Sequence, residues 1–204
     1  MTQPTSVIVM AKAPVAGYAK TRLIPALGAA GAAALAERLL QHAVAQALAA
    51  ALGPVELCCA PDHHHPAFAS LCALPGLVWA DQGEGDLGAR MARAFERRLI
   101  DAGSALMIGT DAPALDAAVL QRAAQALQHT DAVFVPAFDG GYALIGLRRP
   151  VPSLFSAMTW STPTVMARTR ERLAAAGLRH TELAPLADID AAADLIHLPE
   201  GFLR

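Results

Sequence analysis

The glycine-containing loop at residues 11–28 carries cationic side chains that could bind phosphate. Its sequence is "AKAPVAGYAKTRLIPALG", and its candidate phosphate-binding residues are Lys12, Gly17, Lys20 and Arg22. Lysine and arginine beside free backbone amides hold the charged oxygens of a di- or triphosphate. The loop is not a P-loop, because the Gly-Lys-Ser/Thr ending of that motif is missing. We therefore predict that it binds nucleotide phosphates, with an ordinary solvated basic loop as the alternative.

Two aspartates stand where apolar runs break, and both could bind a divalent cation. Asp111 follows the apolar run of "LMIGTDAPAL" (residues 106–115), and Asp139 lies in the short link of "PAFDGGYALIG" (residues 136–146). Hard cations such as Mg²⁺ and Mn²⁺ prefer oxygen ligands, often one or two protein carboxylates with water and substrate phosphate. We therefore predict a metal site formed by Asp111 and Asp139. Simpler explanations exist, because Asp111 could cap a turn before Pro113 and Asp-Gly is a strong hairpin signal.

A literal G-x-G-x-x-G pattern occupies residues 83–88, within "ADQGEGDLGARM". With Asp111 farther along the chain, the pattern resembles a dinucleotide-binding fingerprint, so an NAD-binding oxidoreductase is an alternative function. Against it, the glycines follow the third predicted strand rather than the first, and the basic loop is left without a role. The simpler explanation is a glycine turn that enters a helix capped by Asp86.

The stretch "WSTP" at residues 160–163 precedes a predicted helix. Ser161, Thr162 and the free helix amides could bind an anion, and Trp160 could stack on a substrate ring or pack in the core. An N-cap at Ser161 or Thr162, with Pro163 at the first helical position, explains the polar residues equally well.

A last acidic segment, "ADIDAAADL" at residues 187–195, lies near the carboxyl terminus. Aspartate is a preferred N-cap, so we predict that Asp190 caps a short helix there. Asp188 could add its carboxylate to the acidic site.

Strands and helices alternate along the chain as a layered α/β fold requires. Apolar, β-branched runs predict strands at residues 6–11, 55–60, 77–80, 105–109, 132–137, 142–147 and 179–183. Helical periodicity and caps predict helices starting near residues 28, 86, 117, 161 and 190. The short "FDGG" link between the fifth and sixth strands predicts an antiparallel hairpin in a mainly parallel sheet. Ligands bind at the carboxyl ends of such strands, so Asp111 should lie beside the basic loop if the two strands are neighbours.

The composition fits one domain spanning residues 1–204, with 54% hydrophobic residues and a formal net charge of −2. No clustered basic stripe is present, so we expect no nucleic-acid partner.

The longest uncharged stretch, residues 39–55, contains polar residues, glycine and proline, so we expect no membrane span. The 3 cysteines form no C-x-x-C pattern, which is typical of a reducing compartment, and we expect a cytoplasmic protein.

Six ordered motifs resemble the radical-SAM/selenodomain-associated transferase family. They are "AKAPVAGYAKTRL", "QGEGDLGARM", "GTDAP", "FDGGYALIGLRRP", "WSTPTV" and "DIDAAADL". More distantly, the chain is similar to molybdenum cofactor and phospholactate guanylyltransferases. The resemblance implies a three-layer α/β/α sandwich of the nucleotide-diphospho-sugar transferase (GT-A-like) type, with nucleotide on the amino-terminal half and acceptor on the carboxyl half.

By that resemblance, Lys12, Lys20 and Arg22 would face the phosphates, Gln82 and Gly83 would lie near the base or ribose, and Asp111 would take the metal position. The chain departs from a full D-x-D motif, because Pro113 stands where the second acid would be. The metal site must therefore borrow Asp139 or another acid.

The expected chemistry is metal-assisted transfer from a nucleotide donor to a small-molecule acceptor. Asp111, Lys20 and Arg22 are the candidate catalytic residues, because the metal and the cations would neutralise charge on the leaving phosphate. The acceptor would enter beside Gly140, Gly141, Trp160, Ser161 and Thr162. Nucleotidyl transfer is favoured by the basic loop and glycosyl transfer by the family resemblance. A nucleotide-binding module without turnover is a further alternative, although it would not need two aspartates in one site.

Overall fold

The computed structural model describes residues 4–202, and its strands form one seven-stranded sheet. The strands are β1 (Thr5–Lys12), β2 (Val55–Ala60), β3 (Leu77–Asp81), β4 (Ser104–Ile108), β5 (Ala132–Pro136), β6 (Tyr142–Leu147) and β7 (His180–Glu182). The α-helices are α1 (Ile24–Ala49), α2 (Leu87–Arg98), α3 (Ala117–Ala126) and α4 (Val165–Ala175). Short 3₁₀ helices cover Thr21–Leu23, Pro66–Leu71, Pro152–Leu154 and Ala192–His197.

The strand order in the sheet is β3-β2-β1-β4-β6-β5-β7. β1 is parallel to its neighbours β2 and β4, whereas β6 runs antiparallel to both β4 and β5. The mainly parallel mixed sheet and the β5–β6 hairpin are thus confirmed. Because β1 and β4 are parallel neighbours, the basic loop and Asp111 follow strands that end at the same edge of the sheet.

Helices cover both faces of the sheet, and each face is packed in its own large apolar cluster. Side chains alternate across a strand, so neighbouring β1 residues enter different clusters. One cluster joins the sheet to α1 and α3 through Val7, Val9, Leu40, Val44 and Leu120. The other joins it to α2 and α4 through Ile8, Met91, Phe95, Met166 and Leu173. This arrangement confirms the three-layer α/β/α fold.

Helix α1 begins at Ile24, before the predicted start near residue 28. Pro25 lies in its first turn, where proline is tolerated because the missing N–H has no helical partner. Gly28 has a φ of 70° and kinks the helix near its start. The stretch Thr21–Ala49 is long and apolar enough, by length and composition alone, to cross a membrane. Its inner face packs on the sheet, so we interpret it as an outer-layer helix of this fold.

Candidate active site

Asp111 lies in the turn after β4, at the carboxyl edge of the sheet. Its backbone carbonyl accepts a hydrogen bond from the amide of Ile189 at 2.8 Å, which ties the carboxyl-terminal segment to the tip of β4. Within residues 4–202, no backbone amide donates to its carboxylate; the helix cap is Asp116, whose Oδ1 accepts from the amide of Val119 at 2.8 Å. Turn chemistry therefore accounts for the Asp111 backbone but not for its side chain.

Lys20 contacts the Asp111 carboxylate and is itself nearly buried. Its Nζ lies 2.6 Å from Asp111 Oδ1 and 3.3 Å from Asp190 Oδ1, and its side chain is 8% exposed. The same ammonium donates to the carbonyl of Ile189 at 2.5 Å. These three oxygens match the three donors of a lysine ammonium. Lys20 thus joins the basic loop, the tip of β4 and the segment at residues 188–190, and its donors are already in use.

The other cations of the basic loop remain open to solvent. Lys12 is exposed at the end of β1. The Arg22 side chain is 71% exposed, and its Nη1 lies 3.4 Å from Asp190 Oδ2. Gly17 has a φ of 84°, and a Cβ added there would meet nothing within 4 Å. Lys12, Gly17 and Arg22 therefore keep the accessibility that a phosphate-binding loop needs.

A cavity of about 230 Å³ opens at the carboxyl edge of the sheet. Asp111, Asp139 and Asp188 all line it, which brings together the two predicted metal ligands and the acid at residue 188. The remaining wall is largely apolar and is built mainly by β1, α2, β4, β6 and α4. The acids were identifiable from their positions after the strands, whereas most residues of the apolar wall have the pattern of ordinary core residues.

The three carboxylates have the chemistry of a hard-cation site. Burial raises the pKa of the Asp188 carboxyl above its ordinary value, and the charges of Asp139, Asp190 and Asp111 raise it further. Like charges brought together in this way favour an added cation, and an all-oxygen donor set suits Mg²⁺ or Mn²⁺. Across residues 4–202, however, no group of three His, Cys, Asp or Glu is spaced to hold a metal ion as it stands. The donors fit the ion, but their side chains would have to close around it.

Some residues of the link between β5 and β6 stabilise the turn itself. Asp139 Oδ1 accepts a hydrogen bond from the amide of Gly141 at 2.8 Å, as the hairpin interpretation requires. Gly140 has a φ of 90°, and an added Cβ would lie 2.6 Å from the carbonyl carbon of Pro163. Gly140 therefore permits close packing between the hairpin and the segment before α4. Gly141, by contrast, lines the cavity on the side predicted for the acceptor.

The predicted cap of α4 is wrong. The helix begins at Val165 with Thr164 at the N-cap position and no side-chain cap. Ser161 has a φ of 59°, and the Thr162 hydroxyl donates back to the carbonyl of Thr159 at 2.9 Å, so neither side chain reaches the helix amides. Ser161, Thr162 and Trp160 instead line the cavity.

Asp190 also differs from its predicted role. The 3₁₀ helix that follows it has Ala191 at its N-cap position. The carboxylate of Asp194 accepts the amides of Asp190 and Ala191 at 3.0 and 2.6 Å. Since the local amides are bonded to Asp194, the Asp190 carboxylate is left to pair with Lys20 and Arg22. No local sequence signal distinguishes these two uses of an aspartate.

The G-x-G-x-x-G glycines serve turns and packing after β3, an edge strand of the sheet. Gly83 and Gly85 have φ values of 72° and 98°. A Cβ added at Gly88 would lie 3.0 Å from Trp160 Nε1, and Asp86 caps α2 by accepting from the Ala89 amide at 2.8 Å. These uses support the glycine-turn interpretation over a dinucleotide-binding fingerprint.

Gln82 is buried and tied to neighbouring strands. Its Nε2 donates to the carbonyls of Ala11 and Cys58, each at 3.0 Å. Both amide hydrogens are therefore used to fix the loop after β3 against β1 and β2. The predicted contact of Gln82 and Gly83 with a base or ribose would have to come from other atoms of this loop.

Comparisons with known proteins agree with this architecture. The family described as an uncharacterized protein conserved in bacteria (DUF2064) matches residues 35–162. A candidate nucleotide-diphospho-sugar transferase from Desulfovibrio desulfuricans G20 is 30% identical, with a TM-score of 0.88 over 100% of this chain and 91% of that chain. No protein of curated function matches the sequence significantly.

Two more distant structures share the fold. A nucleotidyl transfer enzyme from Methanothermobacter, 14% identical, has a TM-score of 0.68 over 98% of each chain. The manganese complex of Rv0371c from Mycobacterium tuberculosis H37Rv, 17% identical, has a TM-score of 0.58 over 97% of this chain and 98% of that chain. The fold is thus that of nucleotide-diphospho-sugar transferases and nucleotidyltransferases, and the association with radical-SAM proteins stays a prediction.

Proposed function

The chain belongs to the DUF2064 family, and we propose that it is a metal-assisted transferase that uses a nucleotide donor and a small-molecule acceptor. One observation carries the proposal: Asp111, Asp139 and Asp188 line a single cavity beside the solvent-open cations of the basic loop. Acids that could hold a divalent ion next to cations that could hold phosphate are the parts that phosphoryl chemistry requires.

Nucleotidyl transfer is the reaction that the basic loop favours. Lys12 and Arg22 would bind the outer phosphates of a nucleoside triphosphate and balance their charge as pyrophosphate leaves. An acceptor hydroxyl oxygen would bond to the α-phosphorus, the bond from that phosphorus to the bridging oxygen would break, and the hydroxyl proton would pass to water. Lys20 would hold Asp111 in place rather than contact the phosphates.

The acidic side chains would hold the metal. A bound Mg²⁺ or Mn²⁺ would supply charge neutralisation at the phosphate oxygens. Asp111 would provide one ligand, and Asp139 and Asp188 would stand in for the acid that Pro113 replaces. The manganese complex of the M. tuberculosis protein supports this choice of ion only through the shared fold.

Glycosyl transfer is the second candidate, and the description of the D. desulfuricans protein favours it. In that reaction the acceptor oxygen would bond to the anomeric carbon of a nucleotide sugar, and the nucleoside diphosphate would leave. Lys12 and Arg22 would then balance the charge of the departing diphosphate.

A thermal-shift experiment with matched aspartate variants tests the proposal. A ligand that binds only the folded state stabilises it by about 2.7 kcal/mol at a hundred times its Kd. We expect a nucleoside triphosphate with Mn²⁺ to raise the melting temperature of the wild-type protein and of Asp116→Asn, whose side chain only caps α3. Asp111→Asn should lose this metal-dependent shift.

A normal shift in Asp111→Asn would contradict the metal role. Stabilisation by NAD without metal would support the oxidoreductase alternative instead. Stabilisation by nucleotide sugars but by no triphosphate would select glycosyl transfer.

A further inference from the structure

The cavity combines a largely apolar lining with a small number of polar and charged groups. Its apolar side chains come from the sheet and from the helical layer formed by α2 and α4, and include Met10, Leu87, Met91, Met107, Ile145 and Val165. Its charged groups are the carboxylates of Asp111, Asp139 and Asp188. A molecule that fills the cavity must therefore contact mostly apolar side chains and also lie close to these three carboxylates, which we call the acidic rim.

A polyhydroxylated molecule matches this wall poorly. Each hydroxyl taken from water without a new hydrogen bond costs about 1–3 kcal/mol. The hydroxyls of Tyr142, Ser161 and Thr162 and the indole N–H of Trp160 can satisfy a few such groups, but the methionine, leucine, isoleucine and valine side chains that form most of the wall offer no strong partner. A sugar ring would therefore lose several hydrogen bonds on entering. An apolar chain or ring would gain about 0.8 kcal/mol for each buried CH₂ group.

The acidic rim also selects by charge. Without a bound metal ion, carboxylates at Asp111, Asp139 and Asp188 repel a phosphate or carboxylate group at short range. The nearby Lys20 ammonium is already bonded to Asp111, Asp190 and the Ile189 carbonyl. Burial raises the pKa of the Tyr142 phenol, which also lines the cavity, so its hydroxyl stays neutral and able to hydrogen-bond an uncharged oxygen.

We propose that the acceptor is an uncharged alcohol whose apolar body, aliphatic or aromatic, fills this cavity and whose hydroxyl lies at the acidic rim. The acceptor role rests on the proposed transferase function. The preference of the cavity for an apolar, uncharged molecule rests on its wall alone, so the two are tested separately.

The preference is tested by ligand-observed NMR on the full chain without nucleotide or metal. The probes are n-butanol, n-pentanol, n-hexanol and benzyl alcohol, with glycerol and benzoate as polyol and anionic counterparts. We expect the affinity for the alkanols to rise about fourfold per CH₂ group, the equivalent of about 0.8 kcal/mol. Benzoate should bind at least about tenfold more weakly than benzyl alcohol, and glycerol should not bind.

Two leucines of similar exposure supply a matched pair of variants. Leu87 lines the cavity and is 42% exposed, whereas Leu74 is 39% exposed and lies outside it. Leu87→Ser should weaken n-hexanol binding several-fold, and Leu74→Ser should leave it unchanged. Ala143→Leu, which adds bulk to the cavity wall, should reduce hexanol binding further, and its melting temperature shows whether it folds.

Tighter binding of glycerol or benzoate than of the alcohols would overturn the proposal. Hexanol binding that is as tight in all three variants as in the wild-type protein would overturn it as well. Competitive displacement of hexanol by a nucleoside would also overturn it, because the cavity would then be the base pocket. Alcohol binding in a protein that shows no metal-dependent nucleotide binding would remove the acceptor role while keeping the cavity preference. Pyrophosphate release that depends on hexanol, Mn²⁺ and a nucleoside triphosphate is the result expected if both proposals hold.

Discussion

The Lys20 ammonium has three N–H donors, and oxygens of Asp111, Asp190 and Ile189 lie within 3.3 Å of it. Removal of the Lys20 ammonium would leave two carboxylates without their shared cation and so destabilise the folded chain, whereas an exposed cation is free to meet a ligand. The cations of the basic loop therefore have two different roles. Lys20 ties the loop to the tip of β4 and to the segment at residues 188–190, and Lys12 and Arg22 face the solvent, where the proposed nucleotide would bind.

This division predicts opposite effects for two substitutions in the same loop. Lys20→Met leaves two carboxylates without their shared partner and should cost about 2 kcal/mol, a fall of several degrees in melting temperature. Arg22→Met should leave the melting temperature almost unchanged but weaken metal-dependent triphosphate binding. Thermal denaturation and calorimetric titration of both variants measure these effects. An unchanged melting temperature in Lys20→Met, with lost triphosphate binding, would show that Lys20 is the phosphate ligand instead.

At the scale of elements, the β5–β6 hairpin and the amino end of α4 form one wall of the cavity. They meet where Gly140 approaches the Pro163 backbone, and the carbonyl of Gly140 accepts the amide of Met166 at 2.8 Å. A shift of either element would therefore move the cavity-lining residues just before α4, namely Trp160, Ser161 and Thr162. Gly140 is therefore required for the close packing of this wall of the cavity.

The requirement is tested with two glycines of positive φ. Gly140→Ala brings both backbone strain and a clash with Pro163, and should cost about 3 kcal/mol. Gly177→Ala, at a φ of 64° with nothing within 4 Å of the added Cβ, should cost only about 1 kcal/mol. Denaturant unfolding of the two variants gives the comparison. Equal losses would mean that the close approach to Pro163 relaxes without cost.

A second inter-element contact should show a pH dependence. Arg170 on α4 and Glu182 on β7 form two hydrogen bonds of 2.7 Å, and the Arg170 hydrogen bond holds the pKa of Glu182 below its ordinary value of 4.5. The Glu182 carboxylate therefore stabilises the fold above that value, and the contribution is lost as the pH falls through the lower folded pKa.

Arg170→Gln should accordingly lower stability by about 0.5 kcal/mol at neutral pH, since the pair is partly exposed. The difference from wild type should shrink as the pH falls below 4.5, because protonation of Glu182 in the wild type removes the charge that Arg170 binds. Unfolding free energies measured across this range decide the matter. A difference that stays constant with pH would assign the effect to packing of the arginine stem.

Elements were predictable from the sequence because strand runs and helix caps are local signals. Asp86 and Asp116 cap α2 and α3 as predicted, and the alternation placed Asp111 beside the basic loop. The roles of Lys20 and Asp190 were not predictable, because their contact joins residues 170 positions apart. The start of α4 was also missed. The residues of "WSTP" satisfy the local rules for a cap, but Ser161 has a φ of 59° and the Thr162 hydroxyl bonds back to Thr159, so the helix begins only at Val165.

The acidic residues of the cavity lower the free energy of unfolding of the whole chain. Folding brings the Asp188 carboxyl into a partly buried place near three other carboxylates, which is why its pKa is raised. A raised pKa in the folded state means that ionisation of Asp188 opposes folding. Its stabilising contribution is present below the ordinary value of 3.8 and is lost as the pH rises through the folded pKa.

Replacing this carboxylate should therefore stabilise the metal-free protein and remove its response to metal. In EDTA at pH 7, Asp188→Asn should raise the melting temperature by a few degrees, equivalent to about 1 kcal/mol in a chain of this size. The gain should disappear near pH 3, where the wild-type carboxyl is protonated as well. With Mn²⁺ and a nucleoside triphosphate the order should reverse, because only the wild type keeps the full donor set. Differential scanning calorimetry under the three conditions measures the melting temperatures of both proteins.

A variant that is less stable than wild type in EDTA at pH 7 would show that Asp188 stabilises the fold. The acidic cavity would then need a structural explanation instead of a functional one.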